Sequence, residues 1–162
     1  MASAAAVNQQ ALYDKLKQGM PFAIKSMNGK YITVDDNGDV HVVKRSKDAT
    51  SKITIEDRGN FDICLKSYQD KYFFTTQQGA VVSDRNRYED PGTVFRIEFL
   101  GGNKIALKGR YFKYVTVGQQ LGKLYATRSD RRNYETFYIE YEGETYWFII
   151  ITFTVVIYFE TL

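Results

Sequence analysis

Beyond Phe22 the chain runs in short stretches of alternating apolar and polar residues, each cut off by a turn. Phe22 to Lys25, Tyr31 to Val34, Val40 to Val43 and Ile53 to Glu56 read as four strands. Asn28-Gly29 and Asp35-Asp36-Asn37-Gly38 separate the first three, and the second of these is a strong hairpin signal. The same order returns from Phe61 to Leu100, with Gln77-Gln78-Gly79 as the hairpin turn and Pro91-Gly92 marking the last connection. It returns again from Asn103 to Tyr141, with one extra residue in the hairpin between Gly118 and Gly122. Upstream the pattern is different. Ser3, an alanine-rich stretch to Lys17 and then Gly19 predict a capped helix with a thin apolar stripe of Val7, Leu12 and Leu16.

The three sets register position by position at a spacing of about 41 residues. Lys25/Tyr31 recurs as Lys66/Tyr72 and Lys108/Tyr114, and Gly38/Val40 as Gly79/Val81 and Gly122/Leu124. Each set closes on an apolar-x-Ile-Glu tetrad ending at Glu56, Glu98 or Glu140. Units of this size cannot bury their apolar faces alone, so they must pack on one another. A propeller needs about four blades or more to close around an axis. Three hairpin-rich units can instead close a small barrel without free edges. The predicted fold is all-β, a β-trefoil of three four-stranded repeats preceded by a short N-terminal helix. The expected organisation is a helical extension over 1–20, the trefoil over 21–143 and an apolar tail over 144–162.

Composition supports this reading. Tyr (13) and Phe (11) are plentiful and Pro (2) is scarce, as suits pleated, half-buried surfaces. The net charge of +3 is slight. The single cysteine, Cys64, lies in the apolar run Ile63-Cys64-Leu65 and reads as a small buried hydrophobe, with no sign of an oxidising compartment. The first residues lack a basic start and an apolar core, and Ala2 stands where myristoylation needs glycine, so a cytoplasmic protein is expected.

Residues that repeat in every copy are expected to serve the fold. The tyrosines at 31, 72 and 114 read as core rings with a polar tip. The lysines at 25, 66 and 108 read as stems covering apolar surface with the charge in water. Glu56, Glu98 and Glu140 are expected to face outward at strand ends. The connection after the third strand is more informative, because it is basic each time: Lys44, Arg45 and Lys47, then Arg85 and Arg87, then Arg128, Arg131 and Arg132. Rotation about one axis puts equivalent loops at one end of the barrel, where their potentials would add and favour an acidic partner. Ser46, within Lys44-Arg45-Ser46-Lys47, is a candidate phosphate acceptor that would cancel local charge. Nucleic acid is not expected, since stacking aromatics are not interleaved with these cations. One histidine, one buried cysteine and no phosphate loop or ligand cluster predict a non-enzyme without metal or cofactor.

The phrases IKSMNGKYITV, ICLKSYQDKYFFT and IALKGRYFKYVTV, each followed by a strand such as FRIEF or FYIEY, resemble the fascin and hisactophilin branch of trefoils over about Phe22 to Tyr141. That resemblance implies binding of actin filaments, with bundling in fascins that join several lobes, and a cytoskeleton-associated place in the cytoplasm. With His41 as the only histidine, the pH switch of hisactophilin-like proteins is not expected here. Alternative readings are a carbohydrate- or protein-binding trefoil module, or a membrane-associated adaptor using the tail. Residues 146–159 are uncharged and free of Gly and Pro. As a helix they would span about 21 Å, short of the roughly 30 Å hydrocarbon core. The tail reads as an interface, a marginal membrane contact or the broken-off start of another lobe.

Overall fold

The computed structural model describes residues 4–88, 91–118 and 122–141. It holds twelve strands: β1 (Phe22–Ser26), β2 (Tyr31–Val34), β3 (Val40–Lys44), β4 (Ile53–Gly59), β5 (Asp62–Ser67), β6 (Tyr72–Thr75), β7 (Val81–Arg85), β8 (Phe95–Gly101), β9 (Lys104–Lys108), β10 (Tyr114–Val117), β11 (Leu124–Arg128) and β12 (Phe137–Tyr141). They follow the predicted order with ends shifted by a few residues at most. The tail expected over 144–162 lies outside the described residues.

Six strands close a ring by antiparallel pairing in the order β1, β4, β5, β8, β9, β12 and back to β1. The seam joins the two ends of the sequence, with Phe22 opposite Tyr141 and Ser26 opposite Phe137. Each ring strand turns two apolar residues inward: Phe22 and Ile24, Ile53 and Ile55, Ile63 and Leu65, Phe95 and Ile97, Ile105 and Leu107, Phe137 and Ile139. All twelve are buried. At about 1.5–3 kcal/mol for burying each such side chain, this interior is the main source of stability. The other six strands pair as hairpins, β2–β3, β6–β7 and β10–β11, which lid the barrel.

The hairpins lock to one another in a cycle. The carbonyl of turn residue Gly38 accepts from Ser83 N–H (2.8 Å), that of Gly79 from Ala126 N–H (2.7 Å), and that of Gly122 from Val42 N–H (2.6 Å). All three glycines have positive φ. An added Cβ would stand 2.6 Å from Ser83 O, 2.9 Å from Ala126 O and 2.9 Å from Val42 O respectively. Backbone handedness and the approach of the next repeat both demand glycine there.

Helix α1 (Ala4–Lys17) packs on the opposite end of the barrel, against β4 and β8. Leu16 is fully buried and Tyr13 nearly so. The Tyr13 ring lies 4.9 Å from Phe61 and 6.0 Å from Phe99, and its hydroxyl donates to the Asp57 carboxylate. The helix is therefore a plug anchored by Tyr13, a residue outside the stripe read from the sequence.

Candidate functional site

Side chains common to all three repeats sort themselves into a structural network. Lys25 Nζ donates to Glu140 (2.7 Å), Lys66 Nζ lies 2.8 Å from Glu56, and Lys108 Nζ lies 2.6 Å from Glu98. The same glutamates accept from the hydroxyls of Tyr31 (2.7 Å), Tyr72 (2.8 Å) and Tyr114 (2.9 Å). Each ammonium also lies over its tyrosine ring, at 5.3, 4.8 and 4.5 Å from the centroid. The glutamates stand on the outer, half-exposed side of their strands, as expected, but they are not free: each ends one repeat and is held by the lysine and tyrosine of the next. The lysines are ion-paired as well as covering apolar surface. For Glu98 and Glu140 partial burial pushes the carboxyl up, but lysine and tyrosine hydrogen bonds outweigh it and leave the pKa below the ordinary range. Glu56 is lowered chiefly by its hydrogen bond from Lys66.

The basic connections leave the outer ends of the hairpins. Lys44, Arg85 and Arg128 pair with the first residues of β2, β6 and β10, whereas contacts between hairpins occur at the inner ends, through Asp39 with Val82, His41 with Lys123 and Ala80 with Tyr125. What meets on the axis are the turn glycines, and the three cationic connections stand around the rim.

Several of the cations are already engaged. Lys44 Nζ donates to Asp48 (2.7 Å), and that bond leads the causes holding the Asp48 carboxyl down to about 2. Arg85 lies 3.4 Å from Asp84 with its guanidinium 4.3 Å from the Phe74 ring centre. Arg132 Nε donates to Asp130 (3.0 Å), and Lys47 lies 3.9 Å from Glu140. Arg45, Arg87, Arg128 and Arg131 are exposed. Among the described residues these four make no close ion pair, though Arg131 is near enough to Glu98 to lower its pKa. Ser46 is exposed between Arg45 and Lys47. Asp35, Asp39 and His41 bring ligand atoms within 4.8 Å of one another, but Asp35 is committed to its own turn, accepting from the N–H groups of Asn37 and Asp39 and bonding His41 at 3.0 Å.

The Fascin domain family model matches residues 50–139. The chain belongs to the fascin family. Among solved structures it is similar to ThreeFoil, a designed threefold-symmetric protein, with a TM-score of 0.65 and 13% identity over 74% of this chain and 97% of that one. The likeness shows the β-trefoil fold. No curated protein sequence matches this chain.

Against that symmetric frame, charge breaks the symmetry of this fascin-family trefoil. From Pro21 to Lys44 three lysines stand against three aspartates, and from Asp62 to Arg85 three cations again face three aspartates. The equivalent segment of the third repeat, Lys104 to Arg128, has six cations and no acid: Lys104, Lys108, Arg110, Lys113, Lys123 and Arg128. Lys113 Nζ donates to Ser129 Oγ (2.6 Å), which sets the turn before β10 beside the connection after β11. Arg128 and Arg132 also line a groove of about 790 Å³ with Tyr125, Tyr134 and Thr116. Reading only the loops after the third strand missed Arg110 and Lys113. The signal was available as the acid-free run between Glu98 and Asp130.

Proposed function

We propose that this fascin-family trefoil is a non-enzymatic, cytoplasmic module that binds actin filaments, using the third repeat as its contact face. Family membership supports filament binding, and the observation that carries the choice of face is the concentration of cations there. Arg110, Lys113, Arg128 and Arg131 form its working set, with Arg132 on the edge. Lys44 and Arg85 are turned toward their own acids and contribute less. Arg45, Lys47 and Arg87 leave the hairpins of the first and second repeats and stand outside this working set.

An acidic filament surface attracts such a face over roughly 8–10 Å, the screening length near physiological salt. One face holds one filament, so crosslinking needs a second trefoil. Phosphate on Ser46 would change the first repeat and leave the contact face intact. Co-sedimentation with filaments at increasing salt tests the reading. Pelleting at low salt that falls steeply between about 50 and 200 mM is expected for this electrostatic mode. Failure to pellet at low salt overturns it.

A further inference from the structure

The turn joining β9 to β10 carries two adjacent exposed aromatics, Tyr111 (64% exposed) and Phe112 (71%). Both have left-handed backbones, with φ of 58° and 56°. The fold does not impose this. The equivalent turns have the same length and the same closing bonds: Ser26 N–H to Lys30 O, Ser67 N–H to Lys71 O, and Gly109 N–H to Lys113 O. In them only the residue before the closing lysine is left-handed, and it is Gly29 or Asp70, types that tolerate the region. The preceding residues, Asn28 and Gln69, are polar with ordinary φ. The third repeat thus places a ring at each of two positions where the other repeats place small or polar groups. It adds exposed apolar area and backbone strain that packing does not explain.

The surroundings are mainly cationic. Arg110 lies 5.1 Å from the Tyr111 ring centre and Lys113 reaches Ser129, while the acid that shares a groove with the two rings, Asp62, is held by both Nε and Nη2 of Arg96. Exposed aromatics beside an arginine are the composition of protein-interface anchors. We infer that Tyr111 and Phe112 are the aromatic anchor of the contact face, seated in an apolar cleft of an acidic protein surface while Arg110 and Lys113 meet its carboxylates. This rests on the filament-binding reading and adds the part of it that salt does not screen.

The test replaces the pair with the first repeat's residues, Y111N/F112G, and measures thermal midpoint and filament co-sedimentation together. Relief of two left-handed bulky residues is expected to raise the midpoint by about 2–4 °C. Filament affinity should fall at least about tenfold at fixed salt, the loss typical of interface anchors. Such opposite signs separate an anchor from a structural residue. If the wild-type chain pellets and the variant pellets equally well, the anchor is refuted and the filament reading stands. If the wild-type chain does not pellet, both fall. Flotation with vesicles of four parts phosphatidylcholine to one part phosphatidylserine, abolished by Y111N/F112G while pelleting is unchanged, would assign the tip to membrane and overturn the inference.

Discussion

At the scale of single residues, the lysine–glutamate–tyrosine contacts link each repeat to the next, and their pH dependence can be worked out from the shifts. The glutamates are lowered in the folded chain, so the stability they lend is complete above their ordinary value of about 4.5 and is lost as pH falls through the lowered values. Lys25, Lys66 and Lys108 are raised, each first by its glutamate, so their contribution is complete below about 10.5 and is lost as pH rises beyond it. The thermal midpoint should therefore form a plateau between these limits. Glu98→Gln should lower stability at neutral pH by about 1 kcal/mol, discounted for partial exposure, and should soften the acid limb. An unchanged acid limb would show that the pairing is incidental.

At the scale of elements, the turn glycines and the helical plug carry separable loads. Gly79→Ala meets left-handed backbone and the Ala126 carbonyl at once, and should cost about 2–4 kcal/mol in denaturant unfolding. Gly29→Ala meets the same handedness but open space, and should cost about 1 kcal/mol. Equal costs would mean that the hairpins do not lock as described. Leu16→Ala should cost about 2–4 kcal/mol if α1 closes the barrel, and almost nothing if the helix merely rests on it. The strands were legible because period-two alternation and Asn-Gly or Gln-Gly turns are local signals. The anchoring by Tyr13 was not, because its partners Asp57, Phe61 and Phe99 come from distant hairpins. The glutamate contacts were hidden for the same reason: Glu140 and Lys25 are far apart in sequence and meet only when the ring closes.

At the scale of the whole molecule, three copies make the barrel and the differences between them mark the face. The cationic connections are plain in the sequence as residues, yet their arrangement on the rim depends on which hairpin ends point inward, which no local pattern records. Charge summed over the chain, +3, conceals a third repeat whose span from Lys104 to Arg128 holds six cations and no acid. The most direct measurement compares filament affinity for two charge-reversed variants at one salt concentration, K113E/R128E/R131E in the third repeat and R45E/R87E in the other two. The first should weaken binding by about tenfold or more, and the second by less than about threefold. Equal losses, or a larger loss from R45E/R87E, would contradict the assignment of the contact face to the third repeat.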